Sequence, residues 1–122
     1  MTAESRQNHS HTVPGGRGFW WTDQLWEASA GLTPFTIAIT DVPELDRNCW
    51  FRGPDVTIRQ VAEHARRIND ADLSYPIILS ASGGLMDGGH RLAKAWLEGR
   101  AEIEAVRFEV DPEPDRFLPD GP

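Results

Sequence analysis

At 122 residues, 39% hydrophobic and 25% charged, the chain has the size and balance of one globular domain built on a single core. Nineteen acidic against twelve basic residues leave a net charge of −7, which gives no general attraction to phosphate backbones and sets aside a DNA-tracking role. No apolar run reaches the roughly 18 residues that cross a bilayer. The N-terminal MTAESRQNHSHTVPGG also lacks the apolar stretch of a secretory signal, so the cytoplasm is the expected compartment.

Residues 1–17 are polar and glycine-rich and read as a disordered arm, in which His9 and His11 are two solvated histidines rather than a metal site. The domain proper is expected over 18–110. It opens on the aromatic group Phe19, Trp20 and Trp21, read first as a core flap and second as a partner surface. A short helix should follow, with Thr22 as its N-cap and Gly31 as its stop. In PFTIAITDV, Phe35, Ile37 and Ile39 alternate with Thr36, Ala38 and Thr40, the period of a half-buried strand.

The loop PELDRNCWFRGPD comes next, and Asp41, Glu44 and Asp46 place a row of carboxylates at the end of that strand. Cys49, the sole cysteine, has no histidine near it in sequence and reads as an inert thiol. Thr57 and Gln60 have capping-box spacing at the start of a helix. Ile58, Val61, Ala62, Ala65 and Ile68 form a stripe expected to be buried, and Glu63 and Arg67 have the spacing of a favourable ion pair. YPIIL predicts a strand, LM a brief return strand, and His90–Glu98 a helix stopped by Gly99. EIEAVRFEV predicts a last strand, and residues 111–122 an acidic, proline-punctuated tail.

The stretch with the most chemistry is Asp87-Gly88-Gly89-His90-Arg91, followed by Lys94. A helix N-terminus carries unpaired N–H groups and a partial positive charge, and glycines let an anion approach the backbone closely. Arg91 adds a planar fork, while His90 and Lys94 add further donors. Asp87 has three possible roles: capping the helix, holding a metal ion, or orienting the basic side chains. The same glycines also suit a plain turn.

The segment from about Phe35 to Phe108 resembles the ParB/sulfiredoxin superfamily. The resemblance rests on Pro76-Ile77-Ile78-Leu79, on Asp87-Gly88-Gly89-His90-Arg91, on Ala93, Ala95 and Gly99, and on the strand around Ile103 to Val106. Small stand-alone ParB-like proteins with an Asp-Gly-x-His-Arg motif are especially similar. The resemblance implies an α+β fold, a small mixed β-sheet packed with helices, with a nucleotide phosphate pocket at the glycine–arginine motif. Related free-serine kinases use a carboxylate after the first strand as base, which points to the region of Asp41, Glu44 and Asp46. Gly89 stands where sulfiredoxins carry their nucleophilic cysteine, so the resemblance does not extend to that chemistry. Gly89 and His90 likewise replace the glutamate and first arginine of the partitioning proteins, and the chain is too short for the domains that follow in them.

The expected activity is therefore binding of a small phosphorylated ligand, a nucleoside di- or triphosphate with Mg²⁺, with phosphoryl transfer or hydrolysis open. Asp87, Gly88, Gly89, His90, Arg91 and Lys94 would hold phosphate, and Asp41, Glu44 or Asp46 would supply the base. No resident metal site is expected. The alternative is a non-enzymatic regulatory domain that meets a protein partner or a second copy through the tryptophan-rich N-terminal region.

Overall fold

Ile77, Ile78 and Leu79 are all buried, which identifies their strand as the centre of the molecule, covered on both faces. The computed structural model describes residues 7–121. Its strands are β1 (Asn8–Val13), β2 (Gly16–Trp21), β3 (Phe35–Ala38), β4 (Ile77–Leu79), β5 (Leu85–Asp87), β6 (Glu102–Arg107) and β7 (Arg116–Pro119). Its helices are α1 (Thr22–Ser29), α2 (Ile58–Asp70) and α3 (Gly89–Leu97), with 3-10 turns at Ile39–Asp41 and Pro43–Asp46. The fold is a small mixed α+β arrangement, as expected from the sequence, but it is built on two open sheets where one was expected. A four-stranded sheet runs β3-β6-β4-β5, and a three-stranded one β1-β2-β7.

In the larger sheet β4 pairs parallel with β6, while β3–β6 and β4–β5 are antiparallel. Alternation along the strands divides the core in two. Ile77, Leu79, Ile103 and Ala105 meet Leu92 and Ala95 of α3, with Ile39 and Val42 from the 3-10 turns. Ile78, Met86, Val106 and Phe108 meet Trp20 of β2 and Leu25 of α1 on the other side. Among the described residues no helix is long and apolar enough to cross a membrane.

Three expectations need correction. Residues 8–17, read as part of a disordered arm, form β1 and open β2, paired from Asn8↔Trp21 to Val13↔Gly16; residues 1–6 of that arm lie outside the described residues. His9 and His11 are accordingly not solvated: they pack on Trp20, with His11 stacked 4.5 Å from the indole. The tail is also tied down. Arg116–Pro119 pairs with β2, the Asp115 carboxylate accepts from the Trp21 N–H at 2.9 Å, and Trp20 Nε1 donates to the Pro112 carbonyl at 2.8 Å. These contacts bridge the two ends of the chain, a separation at which local polarity carries no signal.

The third correction concerns α2. Its capping box forms as expected, Gln60 N–H donating to Thr57 Oγ1 and Thr57 N–H to Gln60 Oε1. Its apolar stripe is not buried: Ile58 is 90% and Val61 52% exposed, and no residue of the helix is buried. The helix meets the rest of the protein along the side of His64 and Ile68, the two residues of α2 that are partly covered. Glu63 and Arg67 do not form the ion pair their spacing suggests.

Candidate functional site at the start of α3

The β5–α3 junction is built from glycine for steric reasons. Gly88 has φ 112°, and a Cβ there would lie 2.6 Å from Ile77 Cγ2, so the tight passage from strand to helix excludes any larger residue. No side chain caps α3; Leu92 N–H makes the first intrahelical bond back to the Gly88 carbonyl at 2.9 Å. The N–H groups of Gly89, His90 and Arg91 precede that bond, at the positive end of the helix.

Asp87 does not cap the helix. Its Oδ2 accepts from Arg91 Nη2 and from Trp26 Nε1, both at 2.7 Å, and the Arg91 and Asp87 side chains are 12% and 16% exposed. Of the three roles open to Asp87, orienting the basic side chain is the one its contacts describe. Lys94 needs correction as a phosphate ligand: its ammonium donates to the Asn69 and Ala71 carbonyls at 2.9 and 2.7 Å and so closes the C-terminal end of α2.

Trp50 lies over this junction. A Cβ on Gly89 would be 3.2 Å from Trp50 Nε1, so the indole rests against the bare backbone of the first helical turn. The Trp50 ring lies parallel to both His64 and His90, 4.7 Å from each, at 13° and 9°. His64 Nδ1 and His90 Nε2 are 2.8 Å apart, with ring centroids 5.1 Å apart and planes inclined by 20°. Two imidazoles reach that combination only edge to edge and nearly coplanar, one N–H donating to the other ring, so the indole covers a joined imidazole pair.

Both rings are shifted toward their neutral forms. Burial, followed by the charges of His64 and Arg67, lowers His90 to about 4, with Asp87 opposing; burial and Arg67 lower His64, with Glu63 opposing. Phe51 packs edge-on to His64 at 5.0 Å, and the loop is folded by Asn48, whose Oδ1 accepts from the Phe51 N–H at 2.9 Å.

Below Trp50 opens a groove of about 430 Å³. Gly89, Trp50, Leu92 and Trp96 form one wall, and Glu44, Leu45 and Asp46 of the second 3-10 turn the other. The Glu44 side chain is 16% exposed; its Oε2 lies 3.9 Å from Arg47 Nη1, a loose pair, while its Oε1 is buried with no hydrogen-bond partner. A buried carboxylate oxygen without a donor is costly, and Glu44 carries it in a residue that lines the groove. Cys49 also lines the groove, but burial and the charge of Glu44 push its thiol up, against any nucleophilic use.

The three candidate carboxylates therefore separate. Glu44 and Asp46 line the groove, Asp46 with an exposed side chain, whereas Asp41 is exposed and does not line it. The groove thus brings Glu44 and Asp46 together with Gly89, while Arg91 is held at the same junction by Asp87. Trp50 was not singled out by sequence reasoning, and His64 reads from the sequence as a surface or boundary histidine rather than a ligand. The one signal was a Trp-Phe pair in an otherwise polar, proline- and glycine-containing loop, where exposed aromatics have no local reason to occur. Among the described residues no group of three or more His, Cys, Asp or Glu is placed to hold a metal ion. No protein-family model, curated protein or solved structure matches this chain.

Proposed function

We propose that the protein is a ParB/sulfiredoxin-like domain that binds a small phosphorylated ligand, a nucleoside di- or triphosphate, in the groove between the Pro43–Asp46 turn and the start of α3. The observation that carries this reading is the orphan Glu44 Oε1, buried in the wall of the groove that reaches Gly89 at the uncapped helix N-terminus. A phosphate fits the second feature, and a ligand hydroxyl fits the first. The phosphate would take the N–H groups of Gly89, His90 and Arg91, with Arg91 kept in place by Asp87. With its carboxylate turned into the groove, Glu44 would accept from a ligand hydroxyl and hold it for deprotonation, the role of a general base in phosphoryl transfer. Mg²⁺, where it takes part, would arrive on the nucleotide phosphates.

A thermal-shift screen of nucleoside di- and triphosphates, with and without Mg²⁺, tests the reading. At 100 times Kd a ligand adds about 2.7 kcal/mol of stability. The wild type should be stabilised by at least one nucleotide and Gly89→Ala should not, because the added Cβ would stand at the groove lining, 3.2 Å from Trp50 Nε1. Absence of any shift across the panel would count against the reading.

The second reading, a non-enzymatic domain that works by assembly, is favoured by the bare apolar face of α2. The tryptophan-rich N-terminal region suits it less. Trp20 is 2% exposed, and Trp26, although 57% exposed, is engaged with Asp87.

A further inference from the structure

The thirteen residues of α2 form a well-capped amphipathic helix that leaves its apolar side in solvent. Ile58, Val61, Ala62 and Ala65 are all exposed, beside partly covered Ile68. Burial of such a stripe is the usual source of helix stability in proteins, so a bare one calls for a partner. The charges along its border say what that partner is.

Arg59, Glu63, Arg66 and Asp70 are spaced by four, three and four residues. At 3.6 residues per turn they fall in one stripe about 60° wide, along a single edge of the apolar face. Among the described residues none of the four takes part in a salt bridge. The order of signs is plus, minus, plus, minus. Read from the opposite end it is minus, plus, minus, plus, so an antiparallel copy of the same helix presents the opposite charge at every position.

We propose that α2 is a homodimer interface, in which two copies pack antiparallel about a two-fold axis passing between His64 and Ala65. In that register Arg59 faces the second copy's Asp70 and Glu63 faces its Arg66, each pair occurring twice. A perpendicular two-fold axis keeps the charged edge of one helix against the charged edge of the other, as this pairing requires. On the apolar side the same register sets Val61 against the second copy's Ile68, again twice. Ala65 then lies beside Ala65 of the second copy at the centre, and two small residues there let the helix axes approach to about 8 Å. A single register thus satisfies the charges and the apolar stripe together. A parallel two-fold pairing would instead set the two charged edges on opposite sides of the seam, where they cannot pair.

The test uses the full chain in sedimentation equilibrium and light scattering between 1 and about 200 µM, a span of roughly 3 kcal/mol in association free energy. Arg59→Glu with Arg66→Glu makes the stripe wholly acidic; Glu63→Arg with Asp70→Arg makes it wholly basic. The wild type should dimerise and each double variant should be monomeric, with Kd raised at least tenfold. An equimolar mixture of the two double variants should again dimerise. Circular dichroism with unchanged helix content shows that each variant folds, and mixed rescue is itself unobtainable from misfolded chains. A wild type monomeric throughout would overturn the proposal and leave the face to a different protein. A wild-type dimer indifferent to both double variants would place the interface elsewhere, and failure of the mixture to pair would refute the antiparallel register.

Discussion

His64 of α2 and His90 of α3, 26 residues apart in sequence, are joined nitrogen to nitrogen at 2.8 Å beneath the face of Trp50. One of the two rings must donate and the other accept, so the contact exists only while at least one imidazole is neutral. It links the exposed helix, the aromatic loop and the glycine junction of the candidate site.

The joined pair makes stability depend on pH with a definite sign. His90 is lowered to about 4 from an ordinary value of 6.5 by burial first and by His64 and Arg67 after it, so the unfolded chain binds more protons than the folded one between those values. Stability is then complete above pH 6.5 and is lost progressively as pH falls toward 4. His9, buried on Trp20 and also lowered to about 4, contributes in the same direction. The melting temperature of the wild type should fall between pH 7 and pH 4.5, and His90→Asn should flatten part of that fall. An equally steep profile in His90→Asn would show that the pair is not what titrates.

Arg91→Ala should cost about 2–3 kcal/mol, because it leaves the largely buried Asp87 carboxylate with Trp26 as its one side-chain donor among the described residues. That corresponds to a melting temperature lower by about 10 °C. Asp87→Asn combined with Arg91→Ala should cost less than the sum of the two single changes, since the charge left unpaired by the second is removed by the first. Strict additivity in urea unfolding would mean that the pair contributes no coupling. The same arithmetic makes Arg91→Ala a poor probe of ligand binding, and Gly89→Ala a better one.

Much of the fold was legible because the signals were local. Thr57 and Gln60 announced the start of α2, the Pro76-Ile77-Ile78-Leu79 run announced a strand, though not its central place, and Gly88-Gly89 announced a close turn into a helix. What was not legible depended on distant partners. His9 and His11 look solvated until Trp20 is placed beside them, and the acidic tail looks free until β2 is there to pair with it. The stripe on α2 shows a different limit: apolar periodicity says that a face is to be covered, not whether the cover belongs to the same chain. At the site, residue types near the glycine motif were readable. The meeting of Trp50, His64 and His90, and the choice of Glu44 over Asp41, required the packing of a loop onto two helices.

Glu44→Gln should leave stability unchanged or raise it by up to about 1 kcal/mol, since it replaces a charged group whose Oε1 has no donor by a neutral one. A site held at a cost to the fold behaves in this way: function declines while stability does not. Urea unfolding of the two proteins measures the change. A loss of more than about 1 kcal/mol would assign Glu44 a structural role instead.

The most direct test of phosphate binding at the start of α3 is amide NMR of the wild type titrated with a nucleoside triphosphate and Mg²⁺. Saturable shifts should be largest at the N–H groups of Gly89, His90 and Arg91, with smaller ones along the Glu44–Asp46 wall. The indole N–H of Trp50, which lies against Gly89, should move with them. Shifts centred elsewhere, or none at millimolar nucleotide, would contradict the account and leave the glycine junction as a turn that serves the fold alone.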